Sequence, residues 1–288
     1  MASGGPQGSV LRLVLFLLYI NDLLESVKSQ CRLFAGDALL YNEVKNRIIV
    51  QDDLNRLQCW ADNLEMVSNL KKCCHFTLRK NVNSRNTFYP CGEKLKVVKS
   101  NSYLEIEFQH DLKWDSNINN INAKARQLLG MTLRVLRDAD ENTRKIAYTT
   151  LVRPSLEYGC MAWNSFLKKY KDMLELTQNQ ALRFIYNIKG RISFTELRAE
   201  KDFESLAERR LQLRKNFFCK IVGGDVDIPI GVTIIKDCGE HPDIDAPPAS
   251  GTRHGMFYIP FIQSDQLFYS FWPRTARDIR ESQKKKQN

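Results

Sequence analysis

The chain has 288 residues, 43 Lys and Arg against 33 Asp and Glu for a formal net charge of +10, and a hydrophobic fraction of 43%. That length and composition allow a buried core and about two domains, and they exclude a wholly disordered chain. The basic balance suits a phosphate-rich partner through counterion release, although many soluble domains carry a similar balance without one.

The chain opens on Gly4-Gly5-Pro6-Gln7-Gly8-Ser9, a glycine-rich turn without the Lys of a phosphate-binding loop, in which Ser9 reads as the N-cap of the helix that follows. Val10 to Ile20 is the most hydrophobic run; at eleven residues, with Arg12 inside it, it falls well short of the ~20 apolar residues that cross a bilayer. It lacks a basic leader and a small-residue cleavage site, so it does not read as a signal peptide. The expectation is an intracellular protein, cytoplasmic or nuclear, with no membrane partner. Arg12 in the first turn of a buried helix has to snorkel outward. The helix closes on Leu18-Tyr19-Ile20-Asn21-Asp22-Leu23. Cys31 to Tyr41 then reads as two apolar half-strands about a two-residue Gly36-Asp37 turn. A carboxylate on a hairpin tip can hold a metal ion, and the same residues also fit a surface hairpin in which Asp37 only serves the turn.

Taken together, G-G-P-Q-G-S, the helix ending in L-Y-I-N-D-L and a hairpin reading F-A-x-D resemble the reverse transcriptases of non-long-terminal-repeat retrotransposons, the jockey-like, LINE-type mobile elements. The resemblance implies an RNA-directed DNA polymerase palm that works with Mg²⁺ on an RNA or DNA primer-template. It maps nucleotide binding onto Gln7 and Gly8, and metal binding and catalysis onto Asp37. The family hairpin reads F-A-D-D, so Gly36 stands where an aspartate is expected. Nucleotidyl transfer needs two divalent ions a few ångströms apart, and hard ions want carboxylate oxygens. The family takes two carboxylates from the hairpin and a third from a strand before the G-x-P-Q-G-S turn. This chain begins at Met1, just before that turn, so the third carboxylate and the fingers are expected to be missing. With Asp37 the remaining metal ligand, the expectation is that Mg²⁺ is not held stably and that polymerase activity is lost. Gly36 also suits a hairpin without a cation, because adjacent carboxylates repel.

Further along, Ile48 to Val67 spaces Leu54, Leu57, Trp60, Ala61 and Leu64 as an amphipathic helix that would pack across the small sheet. Cys74 to Arg79 predicts a strand. The Asn69-Leu70-Lys71-Lys72-Cys73 stretch before it matches the family's N-x-x-K-C, which implies leaving-phosphate assistance by Lys72; a basic strand cap at the surface explains the same residues. Thr87 to Val98 predicts a hairpin about Pro90-Cys91-Gly92-Glu93, and Tyr103 to Phe108 a strand. In the family that strand reads Y-L-G and grips the primer end, so Glu105 puts the wrong charge beside the phosphates. The departures at Gly36, Ala38, Arg12, Leu13 and Glu105 are each one base change away, as drift in a decaying element would leave.

From Asp115 onward the pattern is helical: a stripe of Ile118, Ile121, Ala125, Leu128, Leu129, Leu133 and Leu136, then Asn142 toward Val152, Lys169 to Ile188 and Leu206 to Val222. Lys124, Arg126, Arg134 and Arg137 decorate the first helix, and Arg153 opens an R-P-S-L-E-Y stretch. The resemblance makes this the thumb and these residues phosphate contacts; a solvated helical bundle reads the same. Gly223 to Pro260 reads as a loop-rich linker. Phe268 to Thr275 resembles the family's terminal segment; the aromatics of this chain there are expected to anchor the tail to the thumb, with stacking on bases the alternative, and Glu281 to Asn288 reads as a solvated tail. The eight cysteines are expected to be reduced thiols, and the spacing of Cys219, Cys238, His241 and His254 matches no standard zinc finger.

The expected fold is α+β: part of a polymerase palm (residues 1–110, a small antiparallel sheet with helices), a basic helical thumb (111–222), a linker (223–260) and a tail (261–288). The expected function is that of a reverse-transcriptase-derived chain without polymerase activity. The alternative is a non-catalytic RNA- or DNA-binding remnant using the basic helices.

Overall fold

A computed structural model describes residues 10–78, 87–226, 252–254, 257–259 and 270–287. The class is α+β, as expected, and the chain divides into two units. The first comprises Met1–Tyr103 with Phe108–Asp111, the second Leu104–Glu107 with Leu112–Asn288.

In the first unit, helix α1 (Val10–Tyr19) runs into a 3₁₀ segment, Asn21–Ser26. Strands β1 (Gln30–Phe34) and β2 (Asp37–Tyr41) pair antiparallel, with Phe34 opposite Asp37. The two turn residues are therefore Ala35 and Gly36, one position earlier than the sequence suggests, and Asp37 is the first residue of the returning strand. The positive φ that a tight hairpin needs falls on Ala35 (49°). Helix α2 (Arg47–Asn63) follows, held to the segments before it by long-range bonds: Trp60 Nε1 donates to Asp22 at 3.1 Å, and the Tyr19 hydroxyl donates to the carbonyl of Leu64, the residue after the helix, at 2.7 Å.

Strand β3 (Cys74–Phe76) pairs in parallel with β4 (Lys96–Val98). The expected hairpin across Thr87 to Val98 does not form. A 3₁₀ turn at Pro90–Gly92 intervenes, and Phe88 and Leu95 share one backbone bond of 2.9 Å. The expected single strand from Tyr103 to Phe108 is also broken: β5 (Ser100–Tyr103) and β6 (Ile106–Gln109) form a hairpin about Leu104 and Glu105, both at positive φ, 50° and 60°. Sequence alternation could not reveal this turn, because neither residue is the Asn or Gly that usually supplies those angles. The strands thus lie in separate two-stranded pieces, one of them parallel, instead of one small antiparallel sheet.

The second unit is helical. It contains α3 (Asp115–Val135), α4 (Glu141–Ala147), α5 (Arg153–Glu157), α6 (Cys160–Trp163), α7 (Lys168–Ile185), α8 (Phe194–Glu200) and α9 (Leu206–Gly223). Asp140 caps α4 by accepting from the Thr143 N–H. Ser205 and Glu208 form a reciprocal capping box on α9. Between α4 and α5 the chain stays helical through a π segment, Tyr148–Val152. That wider turn carries the helix into Pro154, which lacks an N–H and would crowd an ordinary preceding turn.

The core runs through Ile118, Tyr148, Val152, Trp163 and Leu182, each at most 1% exposed. The expected α3 stripe holds at Ile118, Ala125 and Leu129. At its end Leu133 is 38% exposed, and Thr132 is buried in its place with its hydroxyl on the Leu128 carbonyl. Within the range expected to be linker, β7 (Thr252–His254) and β8 (Phe257–Ile259) pair antiparallel. Beyond it α10 (Phe271–Gln287) runs into the segment expected to be a solvated tail, where Glu281 is exposed. Its Thr275 and Ala276 are buried, and Lys215 of α9 reaches Ser282 at 2.6 Å.

Candidate functional site

Asp37 sits at the start of β2, exposed, directly across from Phe34. Its placement follows from the hairpin register, and Asp53 of α2 anchors the chain just before β1. Asp53 is fully buried and accepts the backbone N–H groups of Lys28 (2.8 Å) and Ser29 (2.7 Å) as the chain enters β1. Burial alone pushes the Asp53 carboxyl up; the N–H and hydroxyl donors of Lys28 and Ser29, with Arg56 nearby, outweigh it and hold the group below its ordinary range. Sequence reasoning missed Asp53. The signal was available, since Asp53 lies four, seven and eight residues before Leu57, Trp60 and Ala61, on the face of α2 that packs inward.

A Cβ added at Gly36 meets nothing within 4 Å, so the aspartate of the F-A-D-D pattern would fit this hairpin without a clash. The chain has none there. Among the described residues no three His, Cys, Asp or Glu side chains converge as a group that could hold a metal. One carboxylate offers two oxygens, whereas a pair of Mg²⁺ ions a few ångströms apart needs bridging carboxylates from more than one residue. The donor set at the hairpin does not fit that pair.

Lys72 is exposed, in a turn where its N–H donates to the Asn69 carbonyl at 3.0 Å, just before β3. The β1–β2 ribbon and the β3–β4 pair are separate sheets, so Asp37 and Lys72 do not share one. Gln7 and Gly8 lie outside the described residues, as do Cys238 and His241.

In the second unit, Lys124, Arg126 and Arg134 lie on α3 and Arg137 just beyond it, all four exposed; Arg153 at the start of α5 is half-buried. From Ser116 to Arg137 there is no Asp or Glu. The exposed side of α3 therefore carries cations and amides without an acid of its own, interrupted by Met131, Leu133 and Val135 near its end; its cations can neutralise phosphates without reading bases. Lys124 is paired with Glu105 of the β5–β6 turn at 3.1 Å.

Two basic residues of α9 lie in the protein interior. Arg210 and Arg214 are 1% and 2% exposed, in line with Leu206 and Phe218 at four-residue spacing, so they occupy the core stripe of the helix. Arg214 pairs with Asp278 of α10. Arg210 lies near Cys160, Glu175 and Glu157, and its Nε and Nη1 have no hydrogen-bond partner. Burial lowers the pKa of both arginines, and it pushes the Cys160 thiol up to about 11. Arg209, one residue before Arg210, is half-buried and grips Glu157 with two nitrogens at 2.6 and 3.2 Å. Arg209 and Arg214 thus pair with acids on other helices, and Arg210 is buried, so none of the three presents a free cation at the surface.

Over 202 residues the chain is 22% identical to the RNA-directed DNA polymerase from mobile element jockey of Drosophila melanogaster, an alignment covering 64% of this chain and 22% of that protein. The chain thus spans about a fifth of the relative it matches. No family model and no solved structure matches. Among the described residues no helix is long and apolar enough to cross a membrane.

Proposed function

We propose that this chain derives from a retrotransposon reverse transcriptase, an RNA-directed DNA polymerase by descent, and does not itself polymerise. The observation that carries the reading is the hairpin tip: Phe34-Ala35-Gly36-Asp37 keeps the phenylalanine, the alanine and one aspartate of F-A-D-D at the turn from β1 to β2, while position 36 offers no side-chain oxygen and no group of three metal-binding side chains lies elsewhere among the described residues. The distant likeness to the jockey polymerase supports the descent. Primer extension on an RNA template with Mg²⁺ or Mn²⁺ tests it. No incorporation of deoxynucleotides is expected, and incorporation that Asp37→Ala abolishes overturns the reading.

A second reading is favoured by the acid-free stretch from Ser116 to Arg137, with Lys124, Arg126, Arg134, Arg137 and, nearby in sequence, Arg153: the helical unit binds an RNA or DNA backbone without catalysis. Its affinity then falls steeply with salt, in proportion to the phosphates neutralised. Binding that is absent, or indifferent to salt, removes this reading.

A further inference from the structure

The β5–β6 turn brings a carboxylate to the edge of the basic helix. Leu104 and Glu105 take left-handed angles of 50° and 60°, a conformation uncommon for residues with side chains. The turn is held on both sides. The Tyr158 hydroxyl donates to the Leu104 carbonyl at 3.1 Å. The Asn117 side-chain oxygen accepts the Glu107 N–H at 2.9 Å, and the Glu107 carboxylate accepts from Ser116 and Asn120 of α3. From this fixed position Glu105 reaches the Lys124 ammonium at 3.1 Å, with the two side chains 75% and 62% exposed. A pair so exposed adds little to stability. Its weight falls on what else Lys124 can hold, because α3 and the turn after it supply no acid of their own from Ser116 to Arg137.

We propose that Glu105 is an intramolecular competitor for the phosphate-binding surface to which Lys124 contributes. Its carboxylate occupies the ammonium and sets a negative charge where a nucleic-acid phosphate would approach, which lowers affinity and removes one cation from the effective contact set. The inference rests on the nucleic-acid-binding reading given above. It assigns Glu105 the role of setting how tightly that surface binds.

The test uses the full chain and a 20-base-pair RNA–DNA hybrid, with affinity measured at several salt concentrations for the unaltered protein, Glu105→Gln, Lys124→Ala and the double variant. Glu105→Gln keeps the backbone demand of the turn and removes the charge. It is expected to tighten binding about threefold or more at low salt and to steepen the slope of log affinity against log salt by up to about 0.9, one further phosphate contact. Lys124→Ala is expected to weaken binding more in the Glu105→Gln background than in the unaltered chain, the non-additivity of a coupled pair. Glu200→Gln, which removes an acid paired with Lys201 on another helix, controls for net charge and is expected to change affinity less. If the unaltered chain binds with normal salt dependence and Glu105→Gln matches it or matches Glu200→Gln, the competition is refuted while the binding surface stands. If the unaltered chain shows no salt-dependent binding, the nucleic-acid reading itself fails, and the competition with it.

Discussion

In the helical unit, Ile118, Tyr148, Leu156 and Leu182 are all wholly buried within one contiguous cluster. In the first unit, Ile20, Leu23, Ala61 and Phe88 are buried, while Leu11, Leu18, Phe34 and Ile48 stand 59% to 83% exposed. The difference follows from the elements available. Long amphipathic helices such as Lys168–Ile185 and Leu206–Gly223 present whole apolar stripes to one another. Strands of three to five residues in two-stranded pieces cannot enclose a core, and an isolated ribbon is marginal in water. The hairpin that carries Asp37 therefore depends on a few polar anchors, above all Asp53, whereas the basic helix α3 sits on a packed foundation. An exposed row of basic side chains makes lower demands on its support than a set of precisely placed carboxylates on a thinly covered hairpin.

The contrast can be broken by truncations in each unit. Trp163 is 1% exposed and donates its Nε1 to the Tyr158 carbonyl at 2.7 Å, so Trp163→Ala should cost about 3–5 kcal/mol in urea unfolding. Phe34→Ala, at an exposed position of the hairpin, should cost under about 0.5 kcal/mol. Equal costs would mean that the first unit packs as well as the second.

A smaller effect is expected at Asp53. Asp53→Ala leaves the buried N–H of Ser29, and the N–H of Lys28 beside it, without their acceptor and should cost about 2 kcal/mol, loosening hydrogen exchange in β1 and β2 while leaving the helical unit protected. Acid should act on the same unit. His75 is held below its ordinary value of 6.5 by burial and by Arg47, and its Nδ1 is buried without a partner. For a group lowered in the fold, stability is complete above the unfolded pKa and is lost as pH falls through the folded one. The first unit should therefore weaken as pH drops below about 6.5 through His75, and again below the ordinary carboxylate value of 3.8 through Asp53. His75→Gln should flatten the first phase and Asp53→Asn the second. An unfolding midpoint of the first unit unchanged from about pH 8 to 5 would contradict the His75 account.

The smallest effect concerns the β5–β6 turn. At φ 60° a glycine is at ease where Glu105 is strained, so Glu105→Gly should stabilise by about 1 kcal/mol, offset in part by the lost pair with Lys124. A drop in thermal midpoint would contradict the strain.

The sequence made the long helices legible, because three- and four-residue spacing over many turns admits few alternatives: α2, α3, α7 and α9 lie within a few residues of their expected bounds. The short strands were less so. The Ala35-Gly36 turn was displaced by one residue because glycine drew attention from the alanine that takes the positive φ. The Leu104-Glu105 turn had no glycine to announce it. The parallel pairing of β3 with β4 joins segments some twenty residues apart, a register that no local pattern encodes. At the candidate site, Asp37 and its missing neighbour were legible from motif alone. Asp53 was legible only from its place on the inward face of α2, and Arg210 and Arg214 were not, because charged residues on an apolar stripe read as solvated until a buried partner such as Asp278 is seen.

The claim on which the account turns is that a single hairpin carboxylate does not seat two divalent ions. Anomalous scattering from crystals soaked with Mn²⁺ and a deoxynucleoside triphosphate measures this directly. The account predicts no pair of manganese peaks within coordination distance of Asp37; two such peaks, a few ångströms apart and bridged by that side chain, would contradict it.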